Sequence, residues 1–112
     1  EPVERLDPPT CPACGGDVRP GVVWFGEEMP RDAWDAAVGA VERLDEGDVV
    51  LVVGTSGLVY PAAGLPAMAL GQGAVVVEVN PQPSDVSDLC HHHVRDGAAT
   101  ALPALVAALE QG

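Results

Sequence analysis

The sequence predicts an α/β fold: a parallel sheet flanked by helices, with a small cysteine-bearing module ahead of it. Two apolar runs and the segment between them carry that prediction. Val49-Val50-Leu51-Val52-Val53 is an aliphatic run with no polar alternation, the pattern of a strand buried on both faces of a parallel sheet. Residues 74–79 form a second run of buried-strand type, ending at Asn80-Pro81. Between them, residues 61–72 suit a helix. Such a strand–helix–strand unit makes a right-handed crossover and brings the ends of both strands to one edge of the sheet. Open α/β sheets bind ligands just beyond that carboxyl edge, so Gly54, Thr55, Ser56 and Asn80 are expected to share one crevice. Gly54 allows close approach to the backbone, while Thr55 and Ser56 offer hydroxyls and amides to phosphate or ribose oxygens. The plainer alternative for these residues is an ordinary strand-to-loop turn.

At 112 residues, 47% of them hydrophobic, the chain suits one modest folded domain. It begins at Glu1 without methionine and is expected to be a piece of a longer protein. It has no signal-like segment and no apolar run near the length of a membrane span, so no membrane association is expected. The net charge is −12, with 17 acids against five arginines and no lysine. That balance argues against nucleic-acid binding, which needs a basic surface. It permits a lysine-rich partner drawn in over long range, although acidic surfaces mainly confer solubility. Three cysteines do not make a disulfide framework, and a reducing, cytoplasmic setting is expected.

In chain order, residues 1–10 are polar and proline-rich, a linker or irregular loop. Cys11-Pro12-Ala13-Cys14-Gly15-Gly16 follows. Two thiols two residues apart, with glycines that let backbone amides turn toward the sulfurs, read as a zinc knuckle. Tetrahedral zinc needs four ligands and one knuckle supplies two, so this is half a site. A redox dithiol is the rival, disfavoured because no strand of thioredoxin type precedes the pair. Residues 22–25 can extend as a short strand, and Gly26 then breaks it. Trp24 and Phe25, beside Gly26 and Glu27, could line a cleft or simply pack in a core. Residues 30–44 read as an amphipathic helix, with Trp34, Ala37, Val38, Val41 and Leu44 on one face. Pro66 sits awkwardly in the next helix, which must kink there or begin after Pro61. Residues 81–100 look irregular, and His91-His92-His93 reads as a solvated loop rather than a metal site. Thr100 is placed to cap a last helix, burying Leu102, Leu105, Val106 and Leu109.

Four blocks in order resemble the sirtuin (Sir2) family of NAD-dependent protein-lysine deacylases. They are Cys-Pro-Ala-Cys-Gly-Gly from Cys11, Arg-Pro-Gly-Val-Val-Trp-Phe-Gly-Glu from Arg19, Gly-Thr-Ser-Gly-Leu-Val-Tyr-Pro-Ala-Ala from Gly54, and Val-Glu-Val-Asn ending at Asn80. The Val-Tyr-Pro-Ala-Ala form looks like the branch that also removes acidic acyl groups such as succinyl. The resemblance runs from about Cys11 to Leu109 and covers the family's second half.

It implies that residues 31–112 are the C-terminal part of a Rossmann-like NAD-binding domain. Residues 1–21 would be the second half of a zinc-ribbon module, and residues 22–30 the substrate-binding loop. By resemblance, Cys11 and Cys14 look like two of four zinc ligands. Val23, Trp24, Phe25, Gly26 and Glu27 look like the loop that pairs with the substrate peptide as an added strand, with Val23 and Phe25 flanking the acyl-lysine. Gly54, Thr55 and Ser56 look like NAD contacts. Asn80, Pro81 and Gln82 would border the adenine ribose, and Ala99 a loop closing over adenine. In the family, the acyl oxygen attacks the nicotinamide ribose and nicotinamide leaves. A histidine base then helps a ribose hydroxyl attack, giving free lysine and O-acyl-ADP-ribose. The family's first half carries that histidine, a Gly-Ala-Gly loop and the first cysteine pair. None of these motifs is found here, and His91 to His93 lie in the wrong place for the base. The implied partners are therefore an acyl-lysine protein or peptide and an N-terminal half of the same protein. The alternatives are a non-catalytic nucleotide-binding fragment and a structural zinc fragment.

Overall fold

A computed structural model describes residues 4–112, which divide after Pro30 into two compact units. In the first, Thr10 and Asp17 form an antiparallel bridge around the cysteine turn. The Val18 amide donates to the Pro9 carbonyl at 2.7 Å. Residues 22–24 have no regular structure and Phe25-Gly26 form a turn. The strand expected over residues 22–25 is therefore absent, and with no strand to pair with among the described residues of the unit its side chains stay largely exposed. Phe25 is 91% exposed.

The second unit contains α1 (Arg31–Glu42), β1 (Val49–Val53), α2 (Leu65–Gly71), β2 (Val75–Val79), β3 (His92–Val94) and α3 (Ala98–Gln111), with short 3₁₀ turns at Ala62–Gly64 and Ser87–Leu89. The sheet order is β1-β2-β3, all parallel, with Val49 opposite Val75 and Val77 opposite His92. The helix expected over residues 61–72 begins only at Leu65. Pro66 then falls in its first turn, where a missing N–H breaks no intrahelical bond. Trp34, Ala37, Val38 and Val41 of α1 are half-buried and Asp32, Asp35 and Glu42 exposed, the division the periodicity predicts.

The core is small: Val52, Ala69, Ala74, Val76 and Val86, with Val41, Leu44, Val50, Leu70 and Cys90 packed against it. β2, the central strand, buries Val76, Glu78 and Val79. β1 does not match the expectation of burial on both faces. Val50 and Val52 turn toward the core, while Val49, Leu51 and Val53 remain exposed. The reason is positional: β1 is an edge strand, and its outer face meets only α3, across an apolar groove of about 290 Å³. Val49, Leu51, Val77, Ala101, Leu105 and Leu109 line that groove. Leu105, Val106 and Leu109 of α3, expected to be buried, are correspondingly exposed.

The segment over residues 81–100 is more ordered than its composition suggests. His92 and His93 lie in β3, pairing with Val77 and Glu78. The His91 amide donates to the Val76 carbonyl at 2.8 Å, and its Nδ1 accepts the Val76 N–H at 3.0 Å. The His93 ring meets the Ser87 carbonyl at 2.7 Å. His92 and His93 form the edge strand β3, with His91 bonded to Val76 beside it; all three are solvent-exposed as expected, but they are not in an irregular loop. Thr100 is not the cap: Gly97 precedes the helix in extended conformation, and Thr100 lies in its first turn.

Candidate functional site

All three strands point the same way, so their carboxyl ends meet on one edge, where three loops converge. The first follows β1. The Gly54 amide donates to the Val79 carbonyl at 3.0 Å, tying the end of β1 to that of β2. Gly54 has φ +64, and a Cβ placed there would meet nothing within 4 Å. The glycine thus serves a left-handed turn that faces open space. Thr55 Oγ1 accepts from the Gly57 amide at 3.2 Å, and Ser56 Oγ from the Leu58 amide at 3.3 Å. These local bonds shape the loop and leave the hydroxyl protons free. Gly57 is different. Its φ is +73, and a Cβ there would lie 2.6 Å from Val86 Cγ1 and 2.9 Å from the Val86 backbone nitrogen. Only glycine lets the first loop dock on the second, where the Asp85 amide also donates to the Ser56 carbonyl at 3.0 Å.

The second loop follows β2. Asn80 Nδ2 donates to the Thr55 carbonyl at 3.1 Å, and Asn80 Oδ1 accepts from the Gln82 amide at 3.1 Å. Asn80 therefore bridges the first loop and fixes the turn through Pro81. One Nδ2 hydrogen and one Oδ1 lone pair remain for a ligand. Pro81 and Gln82 are exposed. The third loop leaves β3, whose Val94 carbonyl accepts from the Asn80 amide at 3.0 Å. It turns at Asp96 and Gly97 into the first turn of α3, where Ala99 is exposed. Gly54, Thr55, Ser56, Asn80, Pro81, Gln82 and Ala99 all lie on this edge.

Beneath the second loop is a polar cluster that sequence reading missed. Glu78 is fully buried, with Arg95 Nη1 at 2.7 Å and Ser87 Oγ at 2.7 Å from its Oε1, while Ser84 donates to its other oxygen. Burial alone would push the carboxyl's pKa up. Hydrogen bonds from Ser84, Ser87 and Arg95, with the arginine's charge, outweigh that and hold it below the usual carboxylate range. Burial first, and then the Glu78 charge, pushes the nearby Cys90 thiol up. The pairing of Glu78 with Arg95 leaves no signal in the sequence, because Glu78 lies in β2 and Arg95 just beyond the end of β3, 17 positions on.

In the first unit, the Cys11 amide donates to the Gly16 carbonyl at 2.8 Å and the Gly15 amide to the Cys11 carbonyl at 2.9 Å, closing a tight turn around the two thiols. The backbone amides of Cys14 and then Ala13 point at the Cys11 sulfur and lower its pKa, as a thiolate metal ligand requires. Both cysteines are free, and among the described residues no group of three or more potential ligands comes together. The donors present fit half of a thiolate zinc site. Arg19, also not singled out by the sequence, organises the neighbouring loop. It pairs with Glu27 at 2.9 Å, donates to the Val22 carbonyl at 2.8 Å and stacks 3.8 Å above the Trp24 ring. Val23, Trp24 and Phe25 are thereby held exposed on a braced turn.

A parallel α/β sheet with loops converging at its carboxyl edge is a Rossmann-like arrangement, a class of fold in which ligands sit beyond the strand ends. Comparison with known proteins narrows it. Residues 1–61 match the Sir2 family. "NAD-dependent protein deacylase 2" of Corynebacterium efficiens is 52% identical over 106 residues, covering 95% of this chain and 41% of that protein. "NAD-dependent protein deacylase Sir2" of Mycolicibacterium smegmatis is 52% identical over 111 residues, covering 99% and 45%. Among solved structures, a Sir2 homolog–NAD complex superposes with a TM-score of 0.79 at 39% identity, over 92% of this chain and 39% of that one. A Sir2–p53 peptide–NAD+ complex gives 0.74 at 29%, over 93% and 42%. The chain belongs to the Sir2 family and has its Rossmann-like α/β fold. It spans less than half the length of the relatives it matches.

Proposed function

We propose that this chain is the second half of a sirtuin, an enzyme that uses NAD to remove acyl groups from protein lysines, yielding nicotinamide and O-acyl-ADP-ribose. The observation that carries the reading is the joint one: about half of the residues match named NAD-dependent deacylases over nearly the whole chain, and the three strand-end loops converge on one edge.

In this reading NAD supplies the ribose carbon that accepts the acyl oxygen and the nicotinamide that leaves. The chain's residues bind and orient. The open face of Gly54 admits the nucleotide close to the backbone, Thr55 and Ser56 donate to its oxygens, and Asn80 with Pro81 and Gln82 borders the adenine ribose. Ala99 sits where α3 begins, just ahead of Thr100, whose amide is the first to donate back to Gly97, and closes over adenine. Val23 to Glu27, braced by Arg19, offer backbone to an extended acyl-lysine peptide. Cys11 and Cys14 supply two of four thiolates to a structural zinc, the other two coming from the N-terminal half, which also brings the histidine base. A cytoplasmic location, with neither nucleic acid nor membrane as partner, belongs to the same proposal. No helix among the described residues is long and apolar enough to cross a membrane.

The test is nicotinamide release from NAD with acetyl-, succinyl- and longer acyl-lysine peptides. The intact protein is expected to turn over at least one of them and the 112-residue chain none, because proton transfer needs a positioned base. Inactivity of the intact protein toward all of them would contradict the proposal.

A further inference from the structure

Asn80-Pro81-Gln82 is held from below by a single guanidinium. Arg95 Nη1 lies 2.7 Å from Glu78 Oε1, 3.2 Å from the Asn80 carbonyl and 3.3 Å from the Gln82 carbonyl. It thus ties the carbonyls on either side of Pro81 to a buried charge in β2. Arg95 Nη2 also reaches Ser87 Oγ at 3.4 Å. Ser87 Oγ in turn accepts the Ser84 amide at 2.8 Å, so the turn leading out of the loop is fastened to the same carboxylate. Glu78 occupies the core-facing row of β2, two residues from Val76, where an apolar side chain would ordinarily stand. A buried ion pair is a weak source of stability, since removing two charges from water offsets much of their attraction. What this one supplies is direction: Nη1 alone meets the carboxylate and both loop carbonyls while Nη2 reaches Ser87, an arrangement that apolar packing cannot reproduce.

We infer that the Glu78–Arg95 pair, with Ser84 and Ser87, positions the Asn80-Pro81-Gln82 loop for the ribose of the bound nucleotide. The inference rests on the NAD reading given above. Glu78 and Arg95 act through the loop carbonyls and need not touch the ligand. The loop is fastened at four points: to Arg95 from beneath, to the Val94 carbonyl through the Asn80 amide, to Thr55 through Asn80 Nδ2, and to itself through Asn80 Oδ1. Of these, the arginine fastening spans both ends of the turn.

The test uses the intact protein and reads ADP-ribose affinity by calorimetry, together with KM and kcat for NAD and for an acyl-lysine peptide. Glu78→Met/Arg95→Met removes the pair without leaving an orphaned charge. It is expected to melt near the wild-type temperature yet bind ADP-ribose about tenfold more weakly, with KM for NAD rising by a similar factor. The peptide KM and kcat should stay within about twofold, a split that general destabilisation does not produce. Arg95→Lys keeps a cation for Glu78 but, with a shorter side chain and a single nitrogen, cannot hold Ser87 and both loop carbonyls at once. It should lose affinity severalfold while keeping its melting temperature, and it carries the test if the double variant fails to fold. Asn80→Ala separates the two ideas. If it weakens ADP-ribose binding while the double variant and Arg95→Lys bind as wild type does, the positioning role is overturned and the ribose assignment stands. If Asn80→Ala leaves ADP-ribose binding intact, the ribose assignment is overturned and the positioning role with it.

Discussion

At the scale of single residues, two glycines in one loop do different work. Gly54 and Gly57 both have positive φ, but Gly54 faces open space and Gly57 touches Val86. Gly57→Ala combines a left-handed alanine with a clash against backbone, and is expected to cost about 2–4 kcal/mol in urea unfolding. Gly54→Ala should cost only about 1–2 kcal/mol, while weakening NAD binding in the intact protein through the methyl placed on the open face. Equal losses of stability would contradict this distinction.

Glu78 gives a signed dependence on pH. Its lowered pKa means that its contribution to stability is fully present above the ordinary carboxyl range, and is lost as pH falls through the lowered folded value. The groups facing it are Arg95, Ser84 and Ser87, with Cys90 nearby. Glu78→Gln should therefore be less stable than wild type at pH 7, with the gap narrowing as pH falls into the acid range. Urea midpoints across that range measure it, and a gap that widens toward acid would refute the assignment.

At the scale of elements, legibility followed locality. That Gly54, Thr55 and Ser56 share one sheet edge with Asn80 was readable, because each follows directly on the end of a strand of the same type. The Glu78–Arg95 pair spans 17 positions, from β2 to the residue after β3, and nothing local marks the two as partners. β3 was missed because His91-His92-His93 lacks the apolar pattern of a strand. It pairs through backbone, and one ring imitates a backbone acceptor toward Val76. The apolar patterns of β1 and α3 were read correctly as patterns, but burial depends on what lies opposite, which periodicity does not contain. In the 112-residue chain, Val76→Ala at the sheet's centre is expected to cost about 2 kcal/mol or more. Leu109→Ala, 71% exposed on α3, should stay within about 0.5 kcal/mol. Thermal or urea unfolding ranks the two, and the reverse order would contradict the core described here.

At the scale of the whole molecule, the half-site at Cys11 and Cys14 predicts how metal content depends on the rest of the protein. Four ligands close a structural zinc site and this chain would supply two, so the intact protein is expected to hold one chelator-resistant zinc and the 112-residue chain, as a monomer, none. Stoichiometric, chelator-resistant zinc in that monomer would show that the ligand set is complete without the N-terminal half.

The central claim is that the carboxyl edge of β1, β2 and β3 is the adenosine side of an NAD site. A crystal structure of the intact protein with ADP-ribose bound tests it most directly. The adenine ribose is expected between the Gly54-Thr55-Ser56 loop and Asn80, with hydroxyls within about 2.6–3.2 Å of polar atoms of those loops and Arg95 still spanning the carbonyls of Asn80 and Gln82. ADP-ribose bound elsewhere, with these loops empty and unchanged, would contradict it.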